Sequence, residues 1–96
     1  MFSTIVHFNF KDDMPIDKVR GIATGSSARF KGMQDLKLKA YTINAEANTA
    51  TNFYLWHSEE AARAFFTDET IAYVAGVYGA DVSVEFVELA ELVENA

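Results

Sequence analysis

Apolar and polar residues change period several times along this chain, and each change marks an element. Over residues 4–10 (TIVHFNF) they alternate, with Val6, Phe8 and Phe10 on one face and Ile5, His7 and Asn9 on the other. The alternation predicts a strand, and because neither face is wholly polar, both sides of the sheet are expected to be covered. Lys11-Asp12-Asp13 reads as a polar turn, with Asp13 placed to cap a helix whose first turn holds Pro15, where a missing N–H costs nothing. Ile16, Val19, Ile22, Ala23 and Ser26 then recur at helical spacing and end on Phe30, predicting a helix to about Arg29 with Gly32 as its stop. Gly21, Gly25, Ser26 and Ser27 are odd guests there, each glycine costing roughly 1 kcal/mol against alanine. Either the sheet or a ligand approaches closely at that point, or the helix is poorly optimised.

Alternation returns over residues 36–43 (LKLKAYTI), placing Leu36, Leu38 and Ala40 on one face and Lys37, Lys39 and Tyr41 on the other. Residues 44–48 are rich in turn formers, and 51–56 form a third strand. Ser58 then opens an alanine-rich helix with Glu59 and Glu60 in its first turn, where carboxylates complement the helix dipole. Thr67-Asp68-Glu69 is a second cap, restarting a helix with Ile71, Val74, Ala75 and Tyr78 as its buried stripe and Gly79 as its end. Residues 82–89 (VSVEFVEL) form the last strand, followed by an acidic tail with Glu91 and Glu94. The order β-α-β-β-α-β, its second helical region broken in two, is an α+β, ferredoxin-like arrangement: a four-stranded antiparallel sheet with helices on one face. Residues 1–96 are expected to form a single domain. The uncovered face keeps apolar residues on every strand, a pattern that marks a partner surface. A twofold homodimer, sheet face against sheet face, is the economical expectation.

Composition sharpens this. Half of the 96 residues are hydrophobic and 14% are aromatic, which calls for an unusually aromatic core or for burial against another subunit. A net charge of −6 excludes a general nucleic-acid binder, which needs a basic face. Lys31, Lys37 and Lys39 are the local basic cluster and read as a solvated strand edge. The absence of cysteine excludes disulfides, thiolate metal sites and cysteine nucleophiles. No apolar run approaches the roughly 18 residues of a membrane span, and no signal peptide is evident, so a soluble cytoplasmic protein is expected.

The stretch FYLWHSEEAARAFF, with its strand-to-helix junction, the closing VSVEFVEL and the opening VHFNFKDDMP resemble the dimeric α/β-barrel proteins that include antibiotic-biosynthesis-type monooxygenases. Among these the chain is most similar to the YdhR-like monooxygenases, and the resemblance covers most of its length. It implies a dimeric α/β barrel and a cofactor-independent monooxygenase that deprotonates a small aromatic or polyketide-like compound, whose carbanion then reacts with oxygen. A non-catalytic binding or accessory protein and an isomerase or cyclase share the same fold. The haem-degrading branch uses an asparagine, a helix tryptophan and a histidine; here Phe65 or Phe66 replaces the tryptophan, and the following helix has no histidine.

Candidates for chemistry are few. His7 and Asn9 share a strand face, so His7 as base and Asn9 as orienting group form one reading; a place at the dimer seam is the other. Trp56 and Tyr54, with Tyr41 on the neighbouring strand, form either an aromatic wall for a planar ligand or ordinary core. Phe65, Phe66, Tyr73 and Tyr78 follow helical spacing and read as core, with Tyr73 and Phe66 named as pocket candidates. His57 alternates to the face opposite Trp56, at the strand end. No metal-ligand spacing, serine-nucleophile turn or phosphate loop appears, so neither a metal nor a cofactor is expected.

Overall fold

The computed structural model describes residues 1–10 and 14–96. The expected turn at Lys11-Asp12-Asp13, with its Asp13 cap, lies outside them. In chain order the elements are β1 (Phe2–Phe10), α1 (Ile16–Phe30), β2 (Leu36–Asn44), β3 (Thr49–Trp56), α2 (Glu59–Phe65), α3 (Asp68–Tyr78) and β4 (Ala80–Glu88). The strands form one open sheet in the order β2-β3-β1-β4, antiparallel at every neighbouring pair. This is an α+β architecture compatible with a small ferredoxin-like fold. Among the described residues, no helix is long and apolar enough to cross a membrane.

Local chemistry sets the helix ends. Pro15 occupies the N-cap position of α1 rather than its first turn, and Ile16 is the first helical residue. The Ser58 side chain accepts from the Ala61 N–H at 3.1 Å, and the Thr67 side chain accepts from the Thr70 N–H at 3.2 Å. Two caps nine residues apart therefore split the second helical region into α2 and α3. Gly79 closes α3 at φ 59°, the left-handed conformation that glycine adopts freely, and its N–H donates to the Ala75 carbonyl.

Register decides which side chains meet the helices. Val6 lies opposite Asn52 and Val84, and Tyr54 lies opposite Thr4 and Lys39. Val6, Phe8 and Phe10 of β1, Ala50, Tyr54 and Trp56 of β3, Val19 of α1 and Ala62 of α2 form the buried core. Ile71, Val74 and Tyr78 pack on it from α3, so all three helices cover one face of the sheet. The opposite face carries Ile5, His7 and Asn9 beside Thr51, Phe53 and Leu55. Ser3 and Leu55 are buried there, so the chain itself covers one end of that face. Ile5 and Phe53 remain half-buried and Asn9 is exposed.

One local expectation is corrected and one open alternative is narrowed. Leu36 and Leu38 do not share a face, because the register shifts between them: Leu36 pairs with Trp56 and Leu38 with Leu55. The extra residue of this irregularity turns Leu36 onto the core and leaves Leu38 on the opposite face. The sheet makes no close approach at the glycines of α1: a methyl group at Gly21 or Gly25 would meet no protein atom within 4 Å.

Candidate functional site

Between the sheet and the helices lies an open cleft of about 150 Å³. An enclosed cavity of about that size holds one benzene ring, and because this cleft is open a larger fused ring can extend from it toward solvent. Phe8 from β1, Phe30 from α1, Phe65 from α2 and Val74, Val77 and Tyr78 from α3 make its walls; Tyr54 and Asn52 from β3 and Lys39 from β2 add polar atoms. The rings hold one another in place. Tyr54 stacks on Trp56 with centroids 5.7 Å apart and meets Phe66 edge-on at 4.9 Å, while Tyr78 lies 4.7 Å from Phe8.

Lys39 is the unusual group. Its Nζ lies 3.5 Å from the centre of the Phe30 ring, 4.1 Å from that of Tyr41 and 4.5 Å from that of Tyr54. Those ring faces attract an ammonium, but burial, and then the charge of Arg29, pull the other way and bring its pKa down to about 7. Among the described residues no carboxylate pairs with it, whereas Arg20 pairs with Asp17 and Arg63 with Glu59. Near pH 7 the amine is therefore divided between its neutral and protonated forms beside an apolar cleft.

Asn52 and Tyr54 complete the polar equipment. Each residue is only about 5% exposed, and among the described residues no group hydrogen-bonds the Asn52 amide or the Tyr54 hydroxyl. Among the described residues no side-chain nitrogen or oxygen is both fully occluded and unpaired, so both groups keep access to the cleft they line. Their hydrogen-bonding capacity is therefore open to water or to a bound ligand in the cleft. Burial, followed by Tyr41 and Tyr78, raises the Tyr54 pKa well above the usual phenol range, and burial followed by Tyr41 raises that of Tyr78. Both phenols act as hydrogen-bond groups here, not as bases. Behind them Ser26 and Tyr41 share a hydrogen bond of 2.9 Å from α1 to β2.

The structure divides the residues named from the sequence. Tyr54 and Tyr73 line the cleft, Tyr73 at its mouth and 66% exposed. Tyr41 stands behind the wall, within reach of Lys39. Trp56 and Phe66 are buried and support Tyr54 without lining the cleft; the Trp56 Nε1–H donates to Thr4. His7 and Asn9 stand on the opposite face of the sheet, where His7 Nε2 is 2.7 Å from a Glu85 carboxylate oxygen and Nδ1 is 3.4 Å from the Thr51 hydroxyl. The sheet therefore separates His7 from Tyr54, and one chain does not assemble them into one site. His57 is exposed at the end of β3.

Two cleft groups escaped the sequence reading, Lys39 and Asn52. The signal was present for Lys39, which shares a strand face with Tyr41; if Tyr41 faces Tyr54, period-two alternation turns Lys39 inward as well. Asn52 carried no signal beyond its place in β3. Among the described residues no group of three or more His, Cys, Asp or Glu side chains is placed to hold a metal. Compared with known proteins, the chain matches no family model and no curated protein.

Proposed function

We propose that the protein is a cofactor-independent monooxygenase that binds a small aromatic or polyketide-like compound in the helix–sheet cleft. The observation that carries this reading is the presence of the Lys39 amine and the Asn52 amide on the walls of one aromatic cleft. A ring seats against Phe30, Phe65 and Tyr78. The Asn52 N–H and the Tyr54 hydroxyl donate to a keto or phenolic oxygen, and neutral Lys39 takes a proton from the activated position. The new anion is then opposed by the Lys39 ammonium, in surroundings where such a pair is worth more than in water. Oxygen reacts with the carbanion, and loss of water converts a CH2 to a carbonyl: CH2 plus O2 gives C=O plus H2O. Lys39 thus takes the base role that the sequence assigned to His7.

The same reading includes a cytoplasmic homodimer built as a dimeric α/β barrel, with a second copy over Ile5, Phe53 and Leu38 on the opposite face of the sheet. Light scattering at micromolar concentration tests it, and a stable monomer contradicts it.

Oxygen uptake with anthrone-like and quinol compounds tests the activity. Uptake that disappears in Lys39→Met, with ligand binding retained, is the expected result. Ligand conversion without oxygen uptake assigns an isomerase or cyclase instead, and binding without conversion assigns an accessory protein.

A further inference from the structure

A second hollow, of about 280 Å³, adjoins the first along α1 and β2, and Phe30 and Lys39 line both. Its other walls include Lys31 after α1 and Lys37 at the register shift of β2. Arg29, Lys31, Lys37 and Lys39, half of the eight basic residues, thus line two hollows that share Phe30, on a chain whose net charge is −6. Among the described residues none of these four forms an ion pair, and no carboxylate lines either hollow, although the arginines at 20 and 63 both find acidic partners on their own helices. Like charges crowded without counter-charges repel one another, and a bound anion relieves that repulsion.

We infer that the ligand of this cleft is an aromatic ring carrying a carboxylate on a short arm, its ring in the first hollow and its carboxylate in the second against Lys31 and Lys37. The inference rests on the cleft reading above and adds the charge and shape of the ligand. The two functions stay apart: Lys31 and Lys37 are exposed and hold a fixed charge, while half-buried Lys39 stands on the shared wall with its proton to exchange. A short arm suits two hollows that share Phe30 and Lys39 on their common wall. The groups near Lys39 agree with this division: Arg29 and Phe30 from α1, Tyr41 from β2 and Tyr54 from β3 lie around it, and no carboxylate lines the cleft it shares with Tyr78 of α3, Phe8 of β1 and Phe65 of α2.

The test uses two fluorescent probes of one shape, 1-naphthaleneacetate and its neutral amide, 1-naphthaleneacetamide, titrated into the full chain at low salt and pH 7. The acid is expected to bind about tenfold more tightly than the amide, the preference that two exposed charge pairs support together. In Lys31→Gln/Lys37→Gln, and in about 0.5 M salt, the preference shrinks to about twofold or less while amide affinity stays constant. Lys18→Gln removes a positive charge that lines neither hollow, and it leaves the preference intact. Equal binding of the two probes, or a preference that survives the double substitution, overturns the inference and leaves the cleft reading standing. Failure of either probe to bind at millimolar concentration overturns both.

Discussion

The Nε1–H of Trp56 donates to the hydroxyl of Thr4 at 3.0 Å, between two residues that are almost completely buried. The bond fixes the indole as the floor under Tyr54, which stacks on it nearly parallel, at 4°. Trp56 thereby sets the position of a cleft residue while staying out of the cleft. Thr4→Val keeps the side-chain shape but leaves the indole N–H unpaired, and should lower stability by about 1–3 kcal/mol. Urea unfolding measures that loss. Because Thr4 does not line the cleft, the affinity for 1-naphthaleneacetamide should stay within about twofold of wild type when measured well below the denaturation midpoint; a larger drop would show that the floor tunes the cleft directly.

His7 and Glu85 form a contact of the opposite kind, exposed and on the far face of the sheet, with side chains 45% and 56% accessible. Exposed pairs of this sort contribute between nothing and about 1 kcal/mol. His7→Ala should therefore change the unfolding free energy by less than about 1 kcal/mol and leave cleft binding and turnover unaltered. Loss of turnover with folding and cleft binding intact would instead place the far face, and with it a second subunit, in the catalytic unit.

Much of this fold was legible in the residues themselves. The strand-to-helix junction at Trp56, His57 and Ser58, the second cap at Thr67 and the stop at Gly79 are local signals, and each appears where its chemistry demands. The register shift after Leu36 was not legible, because it depends on which β3 residues pair with β2 and not on any local pattern. That single irregularity puts Leu36 on the core and Leu38 on the far face. The site was harder still. A histidine and an asparagine two apart attract attention in any sequence, yet their face is fixed by where Val6 and Phe8 must go, namely toward the helices. Lys39 looked like one of several surface lysines, and only the convergence of Phe30, Tyr41 and Tyr54 around it, from three separate elements, makes it different.

The glycines divide by what surrounds them. Gly21 and Gly25 sit in the helical interior of α1 with open space where a methyl would go, so Gly21→Ala and Gly25→Ala should each stabilise the chain by about 0.5–1 kcal/mol. Gly79 also has open space around it, but its φ of 59° is strained for any residue with a Cβ, and Gly79→Ala should destabilise by about 1 kcal/mol. Thermal unfolding of the three variants checks the signs. Destabilisation by either α1 substitution would revive a close approach at that helix.

Lys39 gives the chain a stability profile with a definite sign. Burial, and then Arg29, bring its pKa to about 7 in the folded protein, against 10.5 for an unhindered lysine in the unfolded chain. Between those values the unfolded chain binds more protons than the folded one, so stability rises as pH increases through that window. The penalty of the half-buried ammonium is complete below about pH 7 and relieved toward pH 10. Above about pH 10 Tyr54 and Tyr78 act in the other direction, since burial keeps them protonated in the folded state while unfolded phenols ionise and draw the equilibrium toward the unfolded chain. A stability maximum should therefore lie near pH 9–10 for these three groups together. Lys39→Met retains a flexible apolar stem and removes the titration, so its urea midpoint should exceed that of wild type at pH 7 and stay flat up to about pH 9.5. Arg29→Gln should move the wild-type rise to higher pH by removing the charge that helps depress Lys39. If the pH profiles of Lys39→Met and wild type run parallel from pH 7 to 9.5, the amine is solvated in the folded chain, and both its availability as a base and the proton chemistry assigned to the cleft fall with it.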